Sequence, residues 1–265
     1  MKLIWLSDLH LTPERKPLYG YEPQARLEVA IEYIVEFHGD ADYCVLSGDL
    51  VNDGDEACYR LLDQLLSDAG IKYLALPGNH DHRQNMEAAL KLSDDKQESF
   101  IQYSVSQDGV RIIGLDTLHE GKSSGQFCQA RMQWLDEQLE SDRTTPTIVF
   151  CHHHPDVLHL PMQDEERLTD GEALVSRLSQ AENVKHLFFG HVHRPVSGTF
   201  DRLPFTALPS AALQAPLPYP SWNWDNFTPA KESPALGIIH ATKNNVVCHF
   251  HDFCQSTDFF QAEAV

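Results

Sequence analysis

Short apolar runs bounded by Gly, Pro, Asp or Ser recur at residues 3–7, 43–47, 71–76, 110–115, 147–151 and 186–189, each of a length that suits a buried strand. The intervals between them carry a helical period. In residues 24–37, Leu27, Ile31, Ile34 and Val35 fall on one face, and in residues 57–69 Leu61, Leu62, Leu65 and Leu66 do the same. Residues 132–139 and 171–178 read as two further helices. Strands alternating with helices predict an α/β protein with at least partly parallel pairing. Beyond residue 195 the alternation stops, and 196–200, 205–208, 236–241 and 246–250 read as strands with no helix between them. The expected architecture is a four-layer α-β-β-α sandwich of two mixed sheets flanked by helices, with the late strands packing as the second sheet. All of residues 1–265 are expected to form a single domain.

Charge narrows the function classes. Twenty Lys and Arg against 39 Asp and Glu leave a net charge of −19, which repels a long polyanion, so a nucleic-acid polymer is not expected as substrate. No run approaches the roughly 18 apolar residues of a membrane helix, and the first ten residues do not read as a secretion signal. A cytoplasmic protein with no membrane partner is therefore expected. The six cysteines contain no C-x-x-C pair, which fits a reducing compartment, and Cys248 with Cys254 is the one pair placed to close a late clip. Residues 216–229 crowd Tyr219, Trp222, Trp224 and Phe227 among prolines. Such a loop suits a lid or a subunit contact, the latter making a homodimer possible.

The candidate chemistry gathers where the strands end. The first runs into Ser7-Asp8-Leu9-His10, the second into Gly48-Asp49, and the third into Gly78-Asn79-His80-Asp81. The fifth runs into Cys151-His152-His153-His154-Pro155 and the sixth into Gly190-His191-Val192-His193. Alternation along an extended chain points residues i and i+2 the same way, so Asp8 with His10 and His191 with His193 can each meet one ion. In open α/β sheets the loops at the carboxyl ends of the strands form the ligand crevice. An oxygen and nitrogen donor set without thiolate suits Zn, Mn or Fe rather than a structural zinc knot. By contrast, His38, His119, His159, His186 and His240 read as ordinary surface histidines.

Taken in order, D-x-H, G-D, G-N-H-D, H and G-H-x-H resemble the motifs of the calcineurin-like metallophosphoesterases, and within them the bacterial cyclic-nucleotide and glycerophosphodiester phosphodiesterases, over roughly residues 1–215. The resemblance implies two first-row metal ions. Asp8, His10, Asp49 and His193 would hold one, and Asp49, Asn79, His152 and His191 the other, with Asp49 bridging. Members of the family often carry two His followed by two Pro where this chain has three His and one Pro. Alignment from the strand end selects His152, with His153 as the alternate. The resemblance further implies hydrolysis of a small phosphodiester by a metal-activated hydroxide. His80 would stabilise charge or protonate the leaving alkoxide, and Asp81 would orient its ring. Leu18-Tyr19-Gly20 and Pro209-Ser210 with Gln214 are similar to segments of the phosphodiesterase branch, which makes Tyr19 and Gln214 candidate substrate-binding residues. The protein-phosphatase pattern G-D-x-V-D-R-G differs from Gly48-Asp49-Leu50-Val51-Asn52-Asp53-Gly54, so a phosphoprotein is disfavoured. A 3′,5′-cyclic nucleotide such as cAMP is the expected substrate. A glycerophosphodiester is the alternative, and a metal-free scaffold of the same fold is the non-enzymatic one.

Overall fold

Most of the apolar runs become strands and the periodic intervals become helices in a computed structural model that describes residues 1–93, 99–217 and 222–254. In chain order the elements are β1 (Lys2–Leu6), α1 (Pro23–His38), β2 (Tyr43–Ser47), α2 (Glu56–Asp68), β3 (Tyr73–Leu76), α3 (Arg83–Ala89), β4 (Tyr103–Gln107) and β5 (Val110–Gly114). They continue with α4 (Gln129–Ser141), β6 (Thr147–Cys151), α5 (Pro161–Asp164), α6 (Gly171–Gln180), β7 (Val184–Phe189), β8 (Val196–Phe200), β9 (Leu203–Ala207), β10 (Ala235–Ala241) and β11 (Val246–Asp252). Two mixed sheets result, ordered β11-β10-β1-β2-β3 and β4-β5-β6-β7-β9-β8.

The partition of the late strands differs from the expectation that they form the second sheet by themselves. Instead, the six early runs are shared between the sheets, and the late strands are divided as well. β10 pairs antiparallel with β1, from Lys2 opposite His240 to Trp5 opposite Gly237. β9 extends the parallel core beside β7, with Leu187 opposite Phe205. Each late hairpin thereby covers an edge that the parallel strands would leave unpaired. β4, which the apolar pattern did not mark, has only Tyr103 fully buried and lies at the edge of its sheet. It joins β5 through Asp108 and Gly109, both in the left-handed region at φ 52° and 73°, the backbone of a tight hairpin turn.

Three apolar layers hold the sandwich. α1 and α2 bury Leu27, Ile31, Ile34, Tyr59, Leu62 and Leu66 against the first sheet, and α4 and α6 bury Leu135, Leu139, Leu174 and Leu178 against the second. The stripe on α1 is narrower than its sequence suggests, because Val35 is 51% exposed. Between the sheets Trp5 meets Phe150 and Phe188 edge-on, with ring centroids 5.8 and 5.1 Å apart, and its Nε1 donates to Ser47 Oγ at 2.8 Å. Aromatic contacts of this kind add to the burial of area that makes the layer cohere. The six cysteines are all free, so Cys248 and Cys254 form no clip.

His186 is not the surface residue its context suggested. Its ring stacks on Phe188 at 4.3 Å and lies 2.8 Å from Thr206 Oγ1, and burial pushes its pKa down from 6.5 to about 4. Between those two values the unfolded chain binds a proton that the fold refuses, so His186 favours folding above pH 6.5 and loses that contribution as pH falls towards 4. After discounting for partial solvent access the term is on the order of 1 kcal/mol. His186→Gln should therefore flatten the acid limb of a Tm against pH curve by roughly 2–4 °C. A curve that overlays the wild type would rule out this residue as a contributor.

Candidate metal centre and active-site cleft

Parallel pairing within each sheet sends the carboxyl ends of β1, β2, β3, β6, β7 and β9 to one end of the sandwich, where their following loops meet. Strand alternation is not what aims the side chains. β1 stops at Leu6, β2 at Ser47 and β7 at Phe189, and beyond them Asp8, His10, Asp49, His191 and His193 all adopt left-handed backbone, with φ of 56°, 46°, 52°, 69° and 50°. Each such conformation costs on the order of 1–3 kcal/mol for a residue with a Cβ, and clusters of it mark sites where orientation matters more than comfort. Backbone hydrogen bonds between the loops hold it in place: the Asp8 N–H donates to Gly48 O at 3.0 Å and the His10 N–H to Asp49 O at 2.9 Å. Gly48, at φ 101°, lets the backbone pass directly beside the His152 ring.

Two donor groups form there. In the first, the ligating atoms of Asp8, His10, Asp49 and His193 lie within 4.8 Å of one another. His10 Nε2 is 3.1 Å from His193 Nε2, and His193 Nε2 is 3.3 Å from Asp8 Oδ1. In the second, His152, His153 and His191 converge to the same tolerance, and His152 Nε2 stands 3.2 Å from Asp49 Oδ2 and 3.3 Å from Asn79 Oδ1. Asp49 thus touches both groups, being also 3.7 Å from His10 Nε2.

Hydrogen bonding decides which nitrogens are free. His152 Nδ1 donates to Ser47 O at 2.9 Å and His193 Nδ1 to Leu213 O at 2.7 Å, which turns Nε2 of both rings inward, towards the carboxylates of Asp49 and Asp8. His191 Nε2 is buried with no partner among the described residues. His153 differs, because Thr117 Oγ1 occupies its Nδ1 at 2.8 Å and Ser123 O its Nε2 at 3.2 Å. The geometry therefore favours His152 over His153 beside Asp49. Imidazole nitrogens and carboxylate oxygens gathered this closely, with His191 Nε2 unpartnered among the described residues, are what a divalent cation needs, so the residues fit a metal pair.

The protein's own electrostatics prepare part of that state: burial would lower His152, but Asp49 and Asp8 raise it to about 9, so a cation there would displace a proton, whereas Asp49, His10 and His191 are already set. Burial alone would raise the Asp49 carboxyl, yet His152, His80 and His10 around it hold it well below the usual carboxylate range. Burial pushes His10 down to about 3, and burial together with His153 and His152 holds His191 well below its ordinary value. Both imidazoles are thus neutral and available as ligands at pH 7.

These groups floor a cleft of about 450 Å³ whose wall carries Tyr19, Trp224 and Phe227. Tyr19 is 64% exposed at the tip of a turn closed by two hydrogen bonds between Leu18 and Tyr21, and its ring meets Phe227 edge-on at 5.2 Å. Of the aromatic loop, Trp222, Trp224 and Phe227 form one cluster with centroids 5.5–5.9 Å apart, while Tyr219 lies outside the described residues.

Two expectations need correction. Gln214 is 1% exposed and does not reach the cleft: its Oε1 accepts from the Ser210 N–H at 3.0 Å, and its Nε2 donates to Ser210 O at 2.6 Å. It locks the loop whose Leu213 carbonyl orients His193, so it positions rather than binds. Nor does Asp81 orient the His80 ring, which instead pairs its Nδ1 with Asn52 O at 2.7 Å. Asp81 accepts from the N–H groups of Leu50 (3.1 Å), Val51 (3.2 Å) and Gly78 (2.8 Å) and from Tyr59 Oη (2.8 Å), tying the second and third ligand loops together. Asp81→Asn replaces one acceptor by a donor facing N–H groups, so it should lower Tm by several degrees and reduce metal occupancy. The pH–rate limb of the remaining activity should not move. A displaced limb with an unchanged Tm would return Asp81 to proton transfer.

Asn52, Gln163 and Glu166 also line the cleft and were not singled out in the sequence. Asn52 stands in the segment Gly48-Asp49-Leu50-Val51-Asn52-Asp53-Gly54, which the sequence reading used only for Asp49 and against a phosphoprotein substrate. Gln163 and Glu166 reach the site through the loop after β6, which has no local signature.

This fold, with its two nitrogen and oxygen donor groups at the strand ends, defines a metal-dependent phosphoester hydrolase. The chain belongs to the calcineurin-like phosphoesterase family, whose model matches residues 1–195, and that family works with a binuclear metal centre. It is 30% identical over 208 residues to a probable cyclic nucleotide phosphodiesterase of Rhodopseudomonas palustris, covering 77% of this chain and 76% of that one. It is 29% identical over 197 residues to a probable glycerophosphodiester phosphodiesterase of Arcobacter nitrofigilis, covering 73% and 72%. A dimetal phosphatase from Danio rerio shares the fold at a TM-score of 0.72 and 15% identity, covering 96% of each chain. No helix among the described residues is long and apolar enough to cross a membrane.

Proposed function

We propose that this protein hydrolyses small phosphodiesters in the cytoplasm, with 3′,5′-cyclic nucleotides such as cAMP as its substrates. The observation that carries the reading is the placement of two donor groups and an aromatic wall on one cleft of about 450 Å³. Tyr19, Trp224 and Phe227 line the same cleft as the donor groups and offer aromatic faces to a base, and stacking on such faces is worth about 1–3 kcal/mol. The relative of R. palustris carries the same activity in its name. A net charge of −19 argues against a nucleic-acid polymer in the same cleft.

Asp8, His10, Asp49 and His193 would hold one cation, and Asp49, Asn79, His152 and His191 the other. When bound, the pair supplies Lewis acidity to the phosphate oxygens and lowers the pKa of water towards 7. The rest falls to the chain. Burial would lower His80, but Asp49 and the Asn52 carbonyl raise it, so the ring keeps a proton that can pass from Nε2 to the leaving alkoxide. The carbonyls of Ser47 and Leu213 keep the His152 and His193 rings from rotating.

A panel of cAMP, cGMP, 2′,3′-cyclic nucleotides, glycerophosphoethanolamine and a phosphomonoester, run with Mn, Fe and Zn, tests the reading. The highest kcat/KM should fall on a 3′,5′-cyclic nucleotide. A tenfold preference for glycerophosphoethanolamine would replace it with the glycerophosphodiester activity named for the A. nitrofigilis relative. His80→Ala should keep both metals and slow diesters with poor leaving groups by about 10²–10⁴, sparing p-nitrophenyl esters. Loss of metal in that variant would place His80 among the ligands instead.

A further inference from the structure

We propose that Glu166 is a specificity-determining residue: its carboxylate, set in the reaction cleft with no basic side chain to offset it, turns away the second negative charge of a phosphomonoester and so confines the site to diesters. The inference rests on the phosphodiesterase reading above and says how that same cleft tells its substrate from its product.

Among the described residues, those that line the cleft include no Lys and no Arg. Their carboxylates are Asp49, which belongs to the donor groups, and Glu166, which does not. Guanidinium and ammonium groups are the side chains that match the extra charge of a phosphoryl dianion, so their absence from the lining bears on which ester fits. Basic residues do stand close by in the chain, but they are turned elsewhere. Arg15 pairs with Glu28 at 2.9 Å, and Arg167 Nη1 donates to Asp164 O at 2.6 Å. Arg194 Nη1 donates to Ala215 O at 2.5 Å and to Glu232 Oε1 at 3.1 Å. Lys16 and Lys122 are exposed and do not line the cleft.

Glu166 is half-buried on the cleft wall, and its segment is held in place. Its N–H donates to Gln163 O at 2.9 Å, and Asp164 accepts from the N–H groups of Leu158 at 2.9 Å and Leu160 at 3.0 Å. Burial raises the Glu166 pKa above the ordinary 4.5, and Glu165 and Asp49 add to that, while Ser123 and His80 favour the charged form. Asp49 and His80 share the cleft with this carboxylate and act on it, so its charge is felt at the reacting end.

The chemistry makes that charge selective. A diester carries one negative charge. Hydrolysis adds water across one P–O bond, with hydroxide to phosphorus and the proton to the departing alcohol. The monoester formed gives up a further proton with a pKa of about 6 and carries close to two charges at pH 7. A fixed like charge penalises the second ion more than the first, and rejection by repulsion needs no contact with the rejected group. The same repulsion speeds loss of the product.

The test compares wild type at about pH 8, where monoesters are dianions, with Glu166→Gln, which removes the charge and keeps the shape, and Glu166→Ala, which removes both. Two quantities are read on metal-loaded protein: the ratio of kcat/KM for p-nitrophenyl phosphate to kcat/KM for bis(p-nitrophenyl) phosphate, and the Kd of AMP by calorimetry. Both esters release p-nitrophenolate, so protonation of the leaving group by His80 does not enter the ratio. In both variants the ratio should rise about fivefold or more, and AMP should bind about fivefold more tightly. A ratio within twofold of wild type in Glu166→Gln overturns the inference, as does weaker binding of AMP by that variant. So does a ratio that rises in Glu166→Ala alone, which would assign the effect to shape. If the wild type itself prefers the monoester, the diesterase reading fails and takes this inference with it.

Discussion

Asp49→Ala should reduce diester hydrolysis by on the order of a thousandfold and lower the metal content of the purified protein. Among the described residues the carboxylate belongs to one donor group and touches the other, 3.7 Å from His10 Nε2 and 3.2 Å from His152 Nε2. It also receives the His80 N–H at 2.9 Å, so its loss frees the loop that carries the proposed acid. Removing an ordinary outer partner of a metal site costs about 10–100-fold, and removing a ligand shared by two cations costs more. Activity on bis(p-nitrophenyl) phosphate and metal content by mass spectrometry check this together. A variant that keeps a tenth of wild-type turnover would mean that Asp49 does not bridge.

Gly78→Ala should cost at least a hundredfold in kcat/KM although it changes no candidate ligand. A Cβ built at Gly78 would overlap Asp49 Oδ1 and sit 2.5 Å from the Asp49 backbone nitrogen and 2.7 Å from His152 Nε2. None of these can move aside, because the Asp49 backbone is already held left-handed and His152 is pinned to Ser47 O. Overpacking of this sort costs roughly 1–3 kcal/mol of stability, so the protein should still fold, with Tm a few degrees lower. The loss appears instead as misplaced ligands, since small displacements near the chemistry are amplified. Wild-type kcat with wild-type metal content in Gly78→Ala would show that the loops are softer than these contacts imply.

The sandwich and its ligand-bearing segments were legible because they depend on local pattern. A buried strand must be a short apolar run, its end must turn polar, and a glycine next to Asp49 or Asn79 lets the chain turn there. The motif order survives in the sequence for the same reason. Less legible was the mechanism of convergence. The i and i+2 spacing of Asp8 with His10 suggested strand alternation, whereas left-handed backbone beyond the strand aims both side chains. Such a conformation is stabilised by partners far along the chain, here Gly48 O and Asp49 O, and leaves little mark on the residues themselves.

The sequence by itself determined which residue types stand at the strand ends, the α/β class, and a strongly acidic net charge. Only the tertiary structure decided how the late hairpins divide between the sheets, that Gln214 and Asp81 brace loops, and that His153 spends both nitrogens on Thr117 and Ser123 while His152 turns one towards Asp49 and Asn79. Hydrogen bonding explains the division. Whether a polar atom is spoken for depends on groups brought beside it from distant parts of the chain, and that information exists only once the backbone is folded.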